Sequence, residues 1–335
     1  MRASGAPVRC GHFLTSSDFH DRCLTCLGKQ HAESVLVDGT CPHCEGAMDW
    51  EDDVRRFIRI FRHSSDTKLV VLIGNHDIGF HNEMTKQKLE RFEQVFNVTS
   101  ARILTIRGVN FLLVNSVALH GDHCPICQRV EEELHKLSHA LNCSFQGAQH
   151  DGQCKHTENF APTAPVLLQH YPLYRESDAM CTDVDAAPLD ERYQLFRERY
   201  DVISKSASKK LLWWFKPRLI LSGHTHNGCE VLHEKLYPEI SVPSFSWRNR
   251  NNPSFILIWI FEINNEIWIF EINNEGMFSR SNFRLSKCFL PEERSVLALY
   301  CTSCLIIALI TLIHLKMFRR SLHLTNSFLA KYKPL

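Results

Sequence analysis

The chain lacks an excess of charge of either sign: 38 Lys and Arg stand against 37 Asp and Glu in 335 residues. A dedicated electrostatic binder of nucleic acid draws on clustered positive charge, so that class is set aside and no nucleic acid is expected as a partner. Glycine and proline are sparse, at 14 and 13, which excludes collagen-like and linker-like repeats. With 44% hydrophobic residues the chain is too apolar for wholesale disorder. A leading apolar segment is missing too, because residues 1–16 hold no hydrophobic run of seven or more. A globular part facing a lumen needs such a signal, so either the native start is missing or the topology is reversed, and the first is the expectation.

What is present is cysteine. Fourteen are more than a reducing compartment usually leaves unexplained, and too few for a disulfide-held miniprotein. Residues 1–48 form a block of their own, with Cys23 and Cys26 separated by fourteen residues from Cys41 and Cys44. Two such pairs approach the spacing of a two-knuckle zinc site, in which four thiolates close a tetrahedron. Unpaired cysteines in an unstructured leader are the other reading. The block also looks like a segment recurrent in retroelement-derived polyproteins, which would make it a foreign exon. Further on, Cys124, Cys127, Cys143 and Cys154 lie close enough in sequence to pair in an oxidising lumen. With Cys181, Cys229 and Cys288 added, the connectivity stays open.

From Glu51 the pattern alternates. Val54, Phe57, Ile58 and Phe61 recur at helical spacing and lead into the apolar run 68–73, a buried strand. Leu89, Phe92 and Phe96 predict a second helix, and 103–105 with 109–114 predict a hairpin about Arg107-Gly108. Val130, Leu134, Leu137 and Leu141 predict a third helix; strands follow at 166–169 and 218–221, with a helix over 204–214 between them. Such alternation means a layered α/β domain. Nine residues, IWIFEINNE, then occur twice between Ile258 and Glu275, and Asn264-Asn265 could fold one copy back on the other.

Residues 296–315 contain neither acid nor Lys or Arg over twenty positions, enough for a helix to cross about 30 Å of hydrocarbon. The tail 316–335 carries Lys316, Arg319, Arg320, Lys331 and Lys333 without an acid, so the positive-inside rule puts it in the cytoplasm and the globular part in the lumen. Lys331 and Lys333, five and three places from the end, resemble a dilysine retrieval signal and imply coat machinery as a partner. The sequons at Asn97 and Asn142 agree with a lumenal location.

Three apolar runs end in metal-capable groups: Gly74-Asn75-His76-Asp77, Gln169-His170, and Gly223-His224-Thr225-His226. Ligands gather beyond the carboxyl ends of strands in open α/β sheets, so these endings can converge on one site. Imidazole nitrogens with an amide oxygen suit Zn, Mn or Fe. Glycines at 74 and 223 are expected to turn the backbone tightly and set the next side chain in the crevice.

At these residues the chain resembles the calcineurin-like metallophosphoesterases. It carries three of that family's motifs, Gly-Asn-His-Asp, a strand-end His and Gly-His-x-His, and the segments 50–57, 74–81, 169–174 and 241–255 are similar to a membrane-bound branch that trims glycosylphosphatidylinositol (GPI) anchors. The likeness runs over 50–255 and resumes from 285 into the tail. It implies a sandwich of two mixed sheets flanked by helices over 49–290, N-terminally incomplete, plus one C-terminal transmembrane helix. It also implies two divalent ions, Mn2+ by preference, with Asn75, His170 and His224 on one ion, His226 on the other, and His76 bonding the phosphate or protonating the leaving oxygen. The implied activity is removal of ethanolamine phosphate from a mannose of GPI anchors at ER exit sites, the ER-Golgi intermediate compartment and the cis-Golgi, with GPI-anchored proteins and the membrane as partners.

One departure follows. The family's first two motifs, Asp-x-His and Gly-Asp-x-x-Asp, are not recognisable before residue 50, where the cysteine block stands. Asp18-Phe19-His20 has the letters of the first, but no buried strand pattern leads into it. One metal site then lacks its carboxylates, and weak metal binding with little activity is expected. A catalytically impaired remnant and a zinc-binding N-terminal module are the rival readings.

Overall fold

In this computed structural model the described residues are 8–9, 13–15, 47–63, 67–122, 124–146, 154, 160–247, 250–251, 253–263, 266–268, 271–272, 278–279 and 284–331. Cys23, Cys26, Cys41, Cys44, Asp18-Phe19-His20 and Lys333 lie outside them.

Strands β1 (Val8–Arg9) and β2 (Phe13–Thr15) come first. Helix α1 (Ala47–Ile60) turns Trp50 and Phe57 inward, whereas Ile58, expected on the same stripe, is 57% exposed. Strand β3 (Val70–Leu72) is shorter than the apolar run that predicts it, and β2 pairs with it in parallel, Phe13 opposite Val70 and Thr15 opposite Leu72. A strand therefore does precede Asp18-Phe19-His20, contrary to the sequence expectation. Its three residues are too short a run to register as a periodic pattern.

The short helix α2 (Asn75–Ile78) and α3 (Lys86–Phe96) follow, then the hairpin β4 (Ala101–Ile106) and β5 (Val109–Val114). Arg107 and Gly108 connect them with φ of 48° and 77°, the paired left-handed conformation of a type I′ turn, whose twist matches that of the strands it joins. After α4 (Pro125–Gln146) come β6 (Val166–Gln169), α5 (Leu189–Arg192), α6 (Lys205–Phe215), β7 (Leu219–Ser222), β8 (Cys229–His233) and β9 (Tyr237–Ser241). These build a six-stranded sheet in the order β4-β5-β6-β7-β9-β8, parallel from β5 through β9 and antiparallel at its two rims. The second sheet pairs β1 and β14 (Arg284–Phe289) with β10 (Ser254–Ile263), and β10 with β11 (Glu266–Trp268). Two small strands, β12 (Glu271–Ile272) and β13 (Phe278–Ser279), pair with each other.

Alternation along the central strands sorts side chains into two cores, since successive residues face opposite sides of a sheet. Val109, Phe111 and Leu113 of β5, Val166 and Leu168 of β6, and Leu219 and Leu221 of β7 pack with Val70, Leu72, Ile240 and Ile258 between the sheets. The intervening Leu112, Val114, Leu167 and Ile220 meet Leu89, Phe92, Leu134, Leu211 and Phe215 from the helices. Mixed sheets with helices stacked outside are the layered α/β sandwich that the motifs imply. Among the described residues the cystines are Cys124–Cys127, Cys143–Cys154 and Cys181–Cys229, with Cys288, Cys301 and Cys304 free. Residues 290–335 form a separate unit, whose helix α7 (Glu293–Lys331) includes a stretch, Glu293–Arg320, long and apolar enough to cross a membrane.

Candidate metal centre

The carboxyl ends of β3, β6 and β7 carry the three motifs. Beyond β3 the chain enters α2 at Gly74, whose N–H donates to Asp77 Oδ2 at 2.7 Å while Asp77 N–H returns to Gly74 O at 3.1 Å. This reciprocal cap starts a helix directly after a strand and seats Asn75, 1% exposed, at its first position. Beyond β6, His170 is likewise 1% exposed, and Gly223 N–H donates to its carbonyl at 2.9 Å, tying the ends of β6 and β7 together. Gly74 beyond β3 and Gly223 beyond β7 make their turns without a positive φ; beyond β7 the positive φ values fall at His224, 68°, and His226, 59°. Non-glycine residues held there are costly and cluster at functional sites.

The loop carrying both histidines is clamped. Gly228 N–H donates to Asp185 O at 2.8 Å, Arg250 Nε donates to Asn227 Oδ1 at 2.6 Å, and Cys229 is bonded to Cys181. An alanine Cβ at 228 would stand 2.2 Å from Asp185 Cγ, so only glycine lets the two segments approach this closely.

His170 Nε2 lies 2.6 Å from Asn75 Oδ1 and 3.1 Å from His224 Nδ1. Three segments far apart in the chain thus bring three donor atoms to one point. His224 Nε2 donates to Tyr200 O at 2.8 Å, which fixes its tautomer and leaves the Nδ1 lone pair facing His170, the arrangement that orients a metal-bound imidazole. Burial, then His224, His76 and His226, push His170 well below the usual imidazole range. Burial, then His226 and His76, also lower His224, against the Tyr200 carbonyl, which raises it. Neutral imidazoles are the ligating form. His76 and His226, half-buried, lie near enough for their charges to act on both rings. Asn75 Nδ2 is buried with no hydrogen-bond partner; its carbonyl end is the one turned to the cluster. Two neutral imidazoles and an amide oxygen drawn to one point fit a borderline divalent cation, which would replace the proton that His170 Nε2 shares with Asn75 Oδ1.

Residues without a motif complete the wall. Phe80 stacks on Tyr200 with centroids 4.9 Å apart and planes 8° apart, and the Tyr171 ring lies 4.1 Å from the His224 ring. Tyr200 acts through its carbonyl, which any residue type possesses, so no side-chain signal marks it.

The sequence profile of the family described as Calcineurin-like phosphoesterase matches residues 35–228, opening ahead of residue 49, where composition sets the boundary. Metallophosphoesterase 1 of Danio rerio is 79% identical over 289 residues, covering 86% of this chain and 71% of that protein. The Gallus gallus protein of the same name is 49% identical over 294 residues, covering 86% and 69%. That of Rattus norvegicus is 51% identical over 287 residues, covering 86% and 66%. Among solved structures, a dimetal phosphatase from Danio rerio covers 72% of this chain and 79% of its own at 11% identity and a TM-score of 0.31.

Proposed function

Given that the chain belongs to the calcineurin-like phosphoesterase family and is a hydrolase of phosphoesters that binds divalent metal, we propose that it removes ethanolamine phosphate from a mannose of GPI anchors and so promotes export of anchored proteins from the ER to the Golgi. The observation that carries the reading is the meeting of Asn75 Oδ1, His170 Nε2 and His224 Nδ1 at 2.6 and 3.1 Å. These three would hold one divalent ion, Mn2+ by preference, and His226 would belong to a second. Bound there, the metal supplies Lewis acidity toward a phosphoryl oxygen and lowers the pKa of a water. The chain's own residues do the rest. Tyr200 O keeps the His224 ring turned, the stack of Phe80 on Tyr200 limits water from one side, and His76 bonds the phosphate or hands a proton to the departing oxygen. A phosphodiester on a glycolipid suits a catalyst that carries a membrane-crossing helix. We place the globular part in the lumen of ER exit sites, the ER-Golgi intermediate compartment and cis-Golgi, with Lys331 and Lys333 offered to coat machinery.

The second reading is a catalytically impaired form. It is favoured by the absence of recognisable carboxylate motifs before residue 50, which leaves three neutral ligands where the family uses a bridging Asp. Incubation of the full chain in detergent with Mn2+ and an ethanolamine-phosphate-bearing GPI glycolipid separates the two. Release of ethanolamine phosphate with two metals bound, lost in His224→Ala, supports the first. One metal per chain or none, with no release, supports the second. Two bound metals, hydrolysis of a generic phosphodiester and no attack on the glycolipid overturn the substrate.

A further inference from the structure

A second group of metal-capable side chains lies outside this centre. The turn after α2 presents His81, and the segment entering α4 presents Asp122, Cys124 and Cys127. One ligand atom from each lies within 4.8 Å of every other. We propose that these four residues form a separate tetrahedral site for a soft divalent ion such as Zn2+, opened by reduction of the Cys124–Cys127 disulfide.

The local geometry supplies what such a site needs. His81 Nδ1 faces Val117 O at 3.2 Å and donates to it. Nε2–H donates to the Asp122 carboxylate, so imidazole and carboxylate already face one point and share a proton that a bound cation would displace. A ring nitrogen pinned on a backbone carbonyl while the other faces the ligand set is the usual outer support of a metal-bound histidine. Cys127 N–H donates to Cys124 Sγ at 3.1 Å, a bond that favours thiolate at that sulfur, and both cysteines stand at the start of a 22-residue helix, whose positive end favours thiolate as well. Two thiolates, an imidazole and a carboxylate make a closed four-ligand zinc set.

An independent observation points to the same place. His120 is fully buried, neither of its ring nitrogens has a partner, and its ring stands edge-on to His81 with centroids 4.2 Å apart. An orphaned buried imidazole beside the cluster is a polar group in want of a ligand. The other cysteine-containing group, Asp178 with Cys181 and Cys229, differs. Its carboxylate already accepts from Arg175 Nε at 2.8 Å, and its bridge joins segments 48 residues apart.

The bridge at 124 and 127 spans three positions in sequence, so it removes little entropy from the unfolded chain and its stabilising role is small. In the opening step an external dithiol gives two electrons and two protons to the S–S bond and is left as its own disulfide. The two thiols formed then lose their protons to solvent as the cation binds.

The probe is Co2+, whose charge-transfer absorption in the near ultraviolet reports thiolate ligation and is silent for the oxygen and nitrogen centre at Asn75. The full chain in detergent, reduced with a dithiol and freed of it under argon, is titrated alongside the oxidised chain. The expected result is a band on reduction that Cys124→Ser and Cys127→Ser each remove. Asp122→Asn and His81→Ala should weaken Co2+ binding by about tenfold or more. The same component should persist in His224→Ala, in Cys181→Ser/Cys229→Ser and in the fourfold serine variant of Cys23, Cys26, Cys41 and Cys44. A band indifferent to Cys124→Ser and Cys127→Ser, or no band in the reduced chain, overturns the site. Binding unaltered by both His81→Ala and the solvent-facing Asp122→Asn overturns the four-ligand assignment.

Discussion

Asp185 exposes 1% of its side chain, and Lys287 Nζ approaches it at 3.2 Å and Asp183 at 2.6 Å, with Glu230 3.5 Å away. Burial pushes the Lys287 ammonium down, but the surrounding carboxylates more than offset this and leave its pKa above the ordinary lysine value. A cation whose pKa is higher folded than unfolded contributes stability that is complete below pH about 10.5 and lost as pH climbs through the folded value. Denaturant midpoints followed from pH 8 upward should therefore fall at the alkaline end, and Lys287→Met should be less stable at neutral pH with a flatter alkaline limb. An alkaline limb as steep in Lys287→Met as in the parent would assign the loss to other groups. The same carboxylate polices Gly228. Gly228→Ala forces Asp185 away from a Cβ that would sit 2.2 Å from its Cγ, and should cost about 2 kcal/mol or more through an unpaired buried charge. Because Gly228 closes the loop bearing His224 and His226, equilibrium dialysis of this variant should show weaker Mn2+ binding as well as a lower melting temperature. The two glycines read from sequence as the special ones, 74 and 223, do not use their freedom. The motif letters identified Asn75, His170 and His224 because their chemistry is in the side chain. Gly228 and Tyr200 act through a missing Cβ and a carbonyl, which leave no such mark.

Among the elements, legibility followed periodicity. The strand 166–169 and the helix 205–215 emerged near their sequence bounds, and Leu89, Phe92 and Phe96 fall on the helix 86–96, because the strand is an unbroken buried run and the helices each bury a regular stripe. The hairpin of β8 and β9 did not, since Glu239, buried at 1% and held by His233 Nε2 at 2.6 Å, breaks the apolar pattern that marks a strand. The duplicated nonapeptide is the informative case. β10 pairs with β14 from Ser254 opposite Phe289 to Trp259 opposite Arg284, and then with β11 from Phe261 opposite Trp268 to Ile263 opposite Glu266. The hairpin expected at Asn264-Asn265 is thus formed, and it extends past the register that joins β10 to β14. Among the described side chains of the two copies, Ile258 of the first packs in the core between the sheets. Deleting 267–275 should leave the melting temperature within about 3 °C of the parent, the shift expected of well under 1 kcal/mol in a domain of this size, and should lower light scattering on heating, since apolar β-prone runs at a sheet edge promote association. A large loss of stability would mean that the second copy packs against the sandwich. At the β4–β5 rim of the six-stranded sheet, Arg107 holds a left-handed φ of 48° at a position where Asn is the better occupant. Arg107→Asn should raise stability by about 0.5 kcal/mol in a chemical denaturation series.

On the scale of the molecule, two units carry opposite surfaces. The sandwich hides its apolar residues in two cores, whereas within the 28 residues Glu293–Arg320 an 18-residue window has a mean hydropathy of 2.6 with none of it buried. In water this exposure is unfavourable by about 25 cal/mol for each Å2 of apolar surface. A straight helix of those 28 residues reaches about 42 Å, more than the roughly 30 Å of a bilayer's hydrocarbon. Membrane association is the state in which the helix loses that penalty, and its orientation is open to a direct measurement. Asn97 and Asn142, the acceptors of the two sequons, are both exposed on the sandwich, so a lumenal face would make them available to glycan transfer. Expressed in a eukaryotic cell, the full chain should resist carbonate extraction, run larger before than after treatment with a glycosidase that removes N-linked glycans, and lose the shift stepwise in Asn97→Gln and Asn142→Gln. The sandwich should also be protected from protease in sealed microsomes, with only the short basic tail digested. Resistance to extraction without a glycan shift, and with the sandwich digested, would keep the anchor and reverse the orientation. The proposed attack on a lumenal glycolipid would then have no substrate on its side of the bilayer.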